Sequence, residues 1–194
     1  LLRYTYSDLA NKKLNEGKNE EAIEYLKKII AIAKDNEGII YGESELAWAY
    51  DYMRKFEKAY KHLEKARKLG RDDIWLHSEL GYCLEGLNRY EEAVEEFKKA
   101  IDMGRDDIWI FIRLGTVYRE LGKYDEALEE YFKGLKIDNN DIYINSEIAW
   151  IYDTIKNECN IGLKYLEKVK ELGRDDVWIN SEFGWVYNYL EKYE

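Results

Sequence analysis

Between residues 90 and 103 the apolar side chains fall at Tyr90, Ala93, Val94, Phe97, Ala100 and Ile101, one stripe at helical spacing. Glu91, Glu92, Glu95, Glu96, Lys98 and Lys99 fill the opposite, solvated side. The run before it, residues 74–87, carries two stripes. Leu76, Leu80, Cys83 and Leu87 make one, and Trp75, Ser78, Glu79 and Tyr82 lie roughly opposite. A helix apolar on two sides is packed on both, or packed on one and used on the other. The pattern predicts a helical hairpin, with helix A over 74–87, a turn at 88–90 and helix B over about 90–103. Asp72 and Asp73 suit the N-terminus of helix A, and Gly104 suits a left-handed stop after helix B. Pairs such as Glu64–Lys68, Glu95–Lys99 and Glu129–Lys133 add about 0.2–0.5 kcal/mol each on the outer face.

This hairpin recurs. The junction "GRDDIW" stands at 70–75 and again at 104–109, and "GRDDVW" at 173–178. Arg71 to Arg105 is 34 residues, Arg105 to Asn139 is 34, and Asn139 to Arg174 is 35. Residues 9–26 align with 46–63 at an offset of 37. The expected units are 1–35, 36–70, 71–104, 105–138, 139–173 and a sixth, 174–194, that breaks off after its first helix. Stacked hairpins of this kind form one solenoid over 1–194, helix B outside and helix A lining a concave inner surface. The sixth unit's Phe183, Trp185 and Val186 lack a full helix B to cover them, which marks a longer parent protein or a face for self-association. The arginines of "GRDD" are expected to lie solvated at the repeat edge, or to pair with the adjacent aspartates for little stability.

These residues carry a resemblance. A 34-residue helical hairpin with Leu80-Gly81, Tyr90, Ala93, Phe97 and Ala100 is similar to the tetratricopeptide repeat. The small residue after the leucine returns as Ala47, Gly81, Gly115, Ala149 and Gly184. The alanine early in helix B returns as Ala22, Ala59, Ala93 and Ala127, with Gly162 in the fifth unit. Arg71, Arg105 and Arg174 stand where that family usually has proline, and the chain has no proline at all. The resemblance implies an all-α fold, a right-handed superhelical α-solenoid of about five and a half repeats. It also implies a binding surface rather than a catalyst, a concave groove of helix A side chains taking an extended peptide or a partner's helix. The "GRDD-x-W" junctions with "SELG" or "SEFG" resemble a bacterial subgroup. An alternative implied role is the sensor or regulatory array of a larger bacterial signalling or transcription-regulating protein.

The candidate groove residues follow from the register. The column of Trp75 holds Tyr4, Tyr41, Trp75, Trp109, Tyr143 and Trp178. Seven residues on come Asn11, Trp48, Tyr82, Thr116, Trp150 and Trp185. Between them lie Ser44, Ser78, Ser146 and Ser181, and the acids Glu45, Glu79, Glu147 and Glu182; the fourth unit has Ile112 and Arg113 there, with Arg119 further on. All six tryptophans fall on this face. Two placements stay open for the first column, packed between neighbouring A helices or facing the groove. Rings beside carboxylates suit a peptide carrying Lys or Arg. The fourth unit's arginines and isoleucine suit an acidic or apolar feature of the ligand, or mark a unit whose sequence has drifted. The family grips a terminal carboxylate with Lys, Arg and Asn on the concave face; here those places hold serine, aromatics and acids, so the resemblance does not extend to such a clamp.

Charge and chemistry narrow the rest. Thirty Lys and Arg against forty Asp and Glu leave a net charge of −10, which disfavours nucleic-acid backbones and anionic membranes and favours a basic partner. No run is apolar enough to span a membrane. His62 is expected on the exposed face of helix B and His77 as a packed histidine. Neither pairs with cysteine at metal spacing, no phosphate loop or nucleophile motif occurs, and no cofactor is implied. Cys83 falls on the buried stripe and Cys159 in a turn of the fifth unit where one extra residue is inserted. A whole unit separates them, too far for a disulfide, which fits a reducing, cytoplasmic setting.

Overall fold

The computed structural model describes residues 2–193, with no account of the side chains of the last two. All regular structure among them is helical: α1 (Leu2–Asn15), α2 (Asn19–Ile32), α3 (Asn36–Tyr52), α4 (Phe56–Lys68), α5 (Ile74–Gly86), α6 (Tyr90–Asp102), α7 (Ile108–Glu120), α8 (Tyr124–Ile137), α9 (Ile142–Trp150), α10 (Cys159–Glu171) and α11 (Val177–Tyr193). A π-helical turn, Ile151–Ile155, continues α9. Among the described residues, no helix is long and apolar enough to cross a membrane.

The chain divides into two compact units, the first ending at Arg105 and the second beginning at Asp106. In the first, α1–α2, α3–α4 and α5–α6 pair as hairpins, and α2 packs on α3 and α4 on α5. Its core runs through Ala10, Leu14, Leu26, Ile29 and Leu46, then through Ala47, Ala59, Leu63, Leu76, Leu80 and Cys83. In the second, α7–α8 and α9–α10 pair, α8 packs on α9, and α11 lies on α10 over Ala149, Cys159, Leu166, Val169, Ile179 and Val186.

The junctions show why the motif reads as it does. An aspartate, the second of the pair where the junction has two, caps α3, α5, α7, α9 and α11: Asp35, Asp73, Asp107, Asp141 and Asp176 accept from the backbone N–H three residues on, at 2.8–3.1 Å. The first aspartate has another task; Asp72 accepts from His77 Nε2 at 2.7 Å, and Asp175 accepts from Asn180 Nδ2 at 3.0 Å. Gly70, Gly104 and Gly173 end the outer helices at φ of 102°, 102° and 95°, beyond the left-handed well that L-residues tolerate. The turns inside the hairpins need only φ of 53–73°, and Arg54, Asn88 and Asn157 share them with Gly17 and Gly122.

Small residues in the inner helices serve close packing. A Cβ on Gly81 would lie 2.5 Å from the Phe97 ring, and one on Gly115 would lie 2.6 Å from the Tyr131 ring. The fifth repeat's extra residue is taken up in the π-turn. Cys159 therefore begins α10 and is 2% exposed, rather than sitting in a turn.

Several outer-face expectations are corrected. Glu96 is buried, 7% exposed, because it turns inward to His77 Nδ1 at 2.6 Å. His62 is half-buried rather than exposed; its Nδ1 lies 2.5 Å from buried Glu43, and its ring stacks on Tyr50. His77 is packed, as expected, between Glu96 and Asp72. Lys99 and Lys133 pair three residues back with Glu96 and Glu130, and Glu64 pairs with Arg67.

Candidate functional site

Two cavities open on the inner helices, one in each unit, and they are built from the same six positions. The first, of about 320 Å³, is lined by Tyr41, Ser44, Glu45, Trp48, Arg71 and Trp75, with Ser7 and Asn11 from α1. The second, of about 260 Å³, is lined by Tyr143, Ser146, Glu147, Trp150, Arg174 and Trp178, with Arg119 from α7. Ten of the sequence-derived groove residues thus converge on two equivalent hollows. Each hollow spans one inner helix and the start of the next.

The serines and the junction arginines form the floor. Ser44 and Ser146 are each 5% exposed and donate to the carbonyls of Ile40 and Ile142 at 2.7 Å. Their oxygens accept from the arginine of the following junction, Arg71 Nη1 to Ser44 and Arg174 Nη1 to Ser146, the latter at 2.9 Å. Each guanidinium also donates from Nε to the capping aspartate, Asp73 at 3.0 Å and Asp176 at 2.9 Å. Each lies over the next tryptophan, 4.0 Å from the Trp75 ring and 4.4 Å from Trp178. Arg71 and Arg174 therefore make the expected pair with the neighbouring aspartate, and beyond it they tie one repeat to the next rather than lying loosely solvated at the edge. The planar fork supplies two donors and a face, which a proline cannot. The signal was in the register. Where the fourth repeat has Ile112 in place of serine, the following junction has Asn139 in place of arginine.

The rings occupy the walls. All six tryptophans are half-buried or exposed, Trp48 41% and Trp185 40%. In the first column, Trp75 and Trp178 do both jobs left open for it: they pack on the core clusters and also line the cavities. Trp48 stacks on Tyr52 at 5.9 Å, and Trp185 on Tyr189 at 5.6 Å.

The carboxylates differ between hollows. Glu45 accepts from the Ser7 hydroxyl. Glu147 is paired with Arg119 at 3.2 Å, and the Arg119 guanidinium stands 5.9 Å from the Trp150 ring. Burial pushes the Glu147 carboxyl up, while Arg119 and the Tyr143 hydroxyl pull it down. Arg119, which broke the column pattern, thus has an internal acidic partner.

The remaining candidates lie outside both hollows. Ser78 is fully buried and donates to Ile74 O, and Tyr82 meets Phe56 edge-on. The Glu79 carboxyl is pushed up to about 7 by burial and by Asp51, against the pull of Arg105 and Arg71. Arg113 lies over Trp109 at 5.6 Å. Ser181 is exposed and donates to Val177 O, and burial raises Glu182. Among the described residues, no group of three His, Cys, Asp or Glu could hold a metal ion.

Repeated helical hairpins with capped inner helices and ring-lined hollows define a helical-repeat array. The chain belongs to the tetratricopeptide repeat family: family models for this repeat match residues 4–36 and 72–140. No curated protein matches the sequence. Among solved structures, the chain is similar to a crystal structure of MamA, 23% identical over 84% of this chain and 93% of that one, TM-score 0.74. It is also similar to MamA, residues 41 to the end, from Desulfovibrio magneticus RS-1, 20% identical over 88% and 94%, TM-score 0.76. A chain of the APC/C hetero-tetramer Cut9-Hcn1 is 19% identical over 93% of this chain and 35% of that one, TM-score 0.72. At these identities the likeness is one of fold.

Proposed function

We propose that the chain is a non-catalytic binding scaffold that holds an extended segment of a partner protein against the inner helices. The observation that carries this reading is the double occurrence of one side-chain set: tyrosine, glutamate, tryptophan and a stacked arginine–tryptophan pair around a hollow. Half-exposed rings beside a carboxylate are costly to leave unused and are well suited to recognition. Membership of a repeat family known for interaction surfaces supports the reading, as does likeness to a chain found in a hetero-tetramer. The serines leave the list of proposed contacts, since their hydroxyls hold arginine and backbone. The rings and acids stay on it. The net charge of −10 favours a basic partner over nucleic acid.

The test is a titration with peptide pools of differing charge, followed by tryptophan fluorescence, with Trp48→Ala and Trp150→Ala alongside. Binding that weakens by about tenfold or more in either variant, with melting temperature little changed, is the expected outcome. Silence toward every pool, together with two variants that unfold early, would mean that the rings serve packing alone.

A further inference from the structure

The second hollow carries its own cation. Arg119 of α7 places its guanidinium 3.2 Å from Glu147 and 5.9 Å from the Trp150 ring, and so holds the positive group that a carboxylate beside an indole attracts. In register, the position equivalent to Arg119 in the first repeat is Leu14. Leu14 is 3% exposed and belongs to the core, so nothing cationic reaches the first hollow from there. Glu45 and Trp48 line the first hollow with Tyr41, Arg71 and Trp75, as Glu147 and Trp150 line the second with Tyr143, Arg174 and Trp178. Glu45 accepts only a neutral hydroxyl from Ser7, and among the described residues it has no ion-pair partner. The nearby cations are committed to groups other than Glu45. Arg71 bonds Asp73 and Ser44 and lies over Trp75, and Arg3 lies over Tyr4 and Tyr41 and reaches Glu37 at 4.0 Å.

We infer that the Glu45–Trp48 hollow is an arginine-binding subsite, filled by a guanidinium from the partner in the way that Arg119 fills its counterpart from within. The inference rests on the binding-scaffold reading and names the chemistry that the first unit recognises. It also makes the two hollows unequal. The first offers its carboxylate to an incoming cation, and in the second that carboxylate is already held by Arg119 until Arg119 is removed. The guanidinium would donate to Glu45 and lie against the exposed Trp48 ring, which is 41% accessible.

The experiment uses a short neutral peptide containing one arginine, and the same peptide with citrulline, which keeps the shape and loses the charge. Calorimetry gives affinity and stoichiometry, and the assigned indole N–H signals of Trp48 and Trp150 report which hollow is filled. The wild-type chain is expected to bind one arginine peptide, moving the Trp48 signal, with citrulline and Glu45→Gln each weakening binding by about tenfold. Arg119→Leu, with Arg119→Gln as a milder second variant, is expected to raise the stoichiometry to two and to bring the Trp150 signal into play. Equal binding of citrulline and arginine, or an indifferent Glu45→Gln, overturns the subsite. So does a stoichiometry that stays at one in both Arg119 variants when circular dichroism shows them folded. If neutral or acidic peptides still bind through the rings in that case, the scaffold reading stands while this one falls; if no peptide binds at all, both fall.

Discussion

Arg174 shows how much one side chain can join. Its Nε meets the aspartate that caps α11, its Nη1 meets a serine two helices back, and its flat face covers Trp178. Lysine offers a single point charge and no plane. Arg174→Lys is expected to lower stability by about 1 kcal/mol in urea denaturation, and Ser146→Ala by a similar amount. The double variant should lose clearly less than the sum, because both changes remove one shared contact. Strict additivity would show that the two groups act separately. Periodicity could not reveal this contact directly, since its two partners lie 28 residues apart and pattern reading is local. What was legible was the joint loss of serine and arginine at Ile112 and Asn139.

At the scale of the element, hairpins, caps and stops could be read from the chain because each depends on neighbours within four residues. Asp73, Gly104 and the alanine of helix B are of this kind. Side chains that reach between helices could not. Glu96 looked like one more solvated acid until His77, on the companion helix, turned it inward. The same pairing occurs in the preceding hairpin with the roles exchanged, Glu43 on the inner helix and His62 on the outer. Gly162 is another case. Four repeats have alanine there, but a Cβ at this position would lie 1.8 Å from Oδ1 of Asp153 in the π-turn. Gly162→Ala is therefore expected to destabilise the second unit by about 2 kcal/mol despite better helix propensity. Asp153→Ala combined with it should restore most of the loss in thermal melts. A single variant as stable as the parent would mean that the π-turn yields freely.

Across the molecule, titration divides the two units. In the second, the Asp153 carboxyl is pushed up to about 7 by burial and by Glu182 beside it. Burial also raises Glu147 and Glu182. Among the described residues, neither Asp153 oxygen has a hydrogen-bond partner. A carboxyl raised on folding gives stability that is complete below its unfolded value, about 4, and lost as pH rises through about 7. In the first unit Glu79 acts in the same sense. Glu43 and Glu96 act oppositely: burial pushes each up, but His62 and Lys65, or His77 and Lys99, hold each below the ordinary range. Their share is present above the unfolded value and lost as pH falls. Between pH 5.5 and 8, hydrogen exchange corrected for intrinsic rates is expected to show the second unit losing more protection than the first. Asp153→Asn should remove much of that difference, gaining on the order of 2 kcal/mol at pH 8. Equal loss in both units would show that Asp153 finds solvent or a partner in solution.

The stitch from serine to arginine also bears on how such a gene can grow. A copied hairpin inserted among its siblings brings a serine that needs an arginine downstream. Most sites in this array supply one, so duplication there costs little. The fourth hairpin, with Ile112 ahead of Asn139, is matched only to its own successor. Transplanted alone, it would set a guanidinium over a hydrocarbon. Shuffling in this lineage is therefore expected to move the fourth and fifth hairpins as an inseparable couple, while the second and third trade places freely.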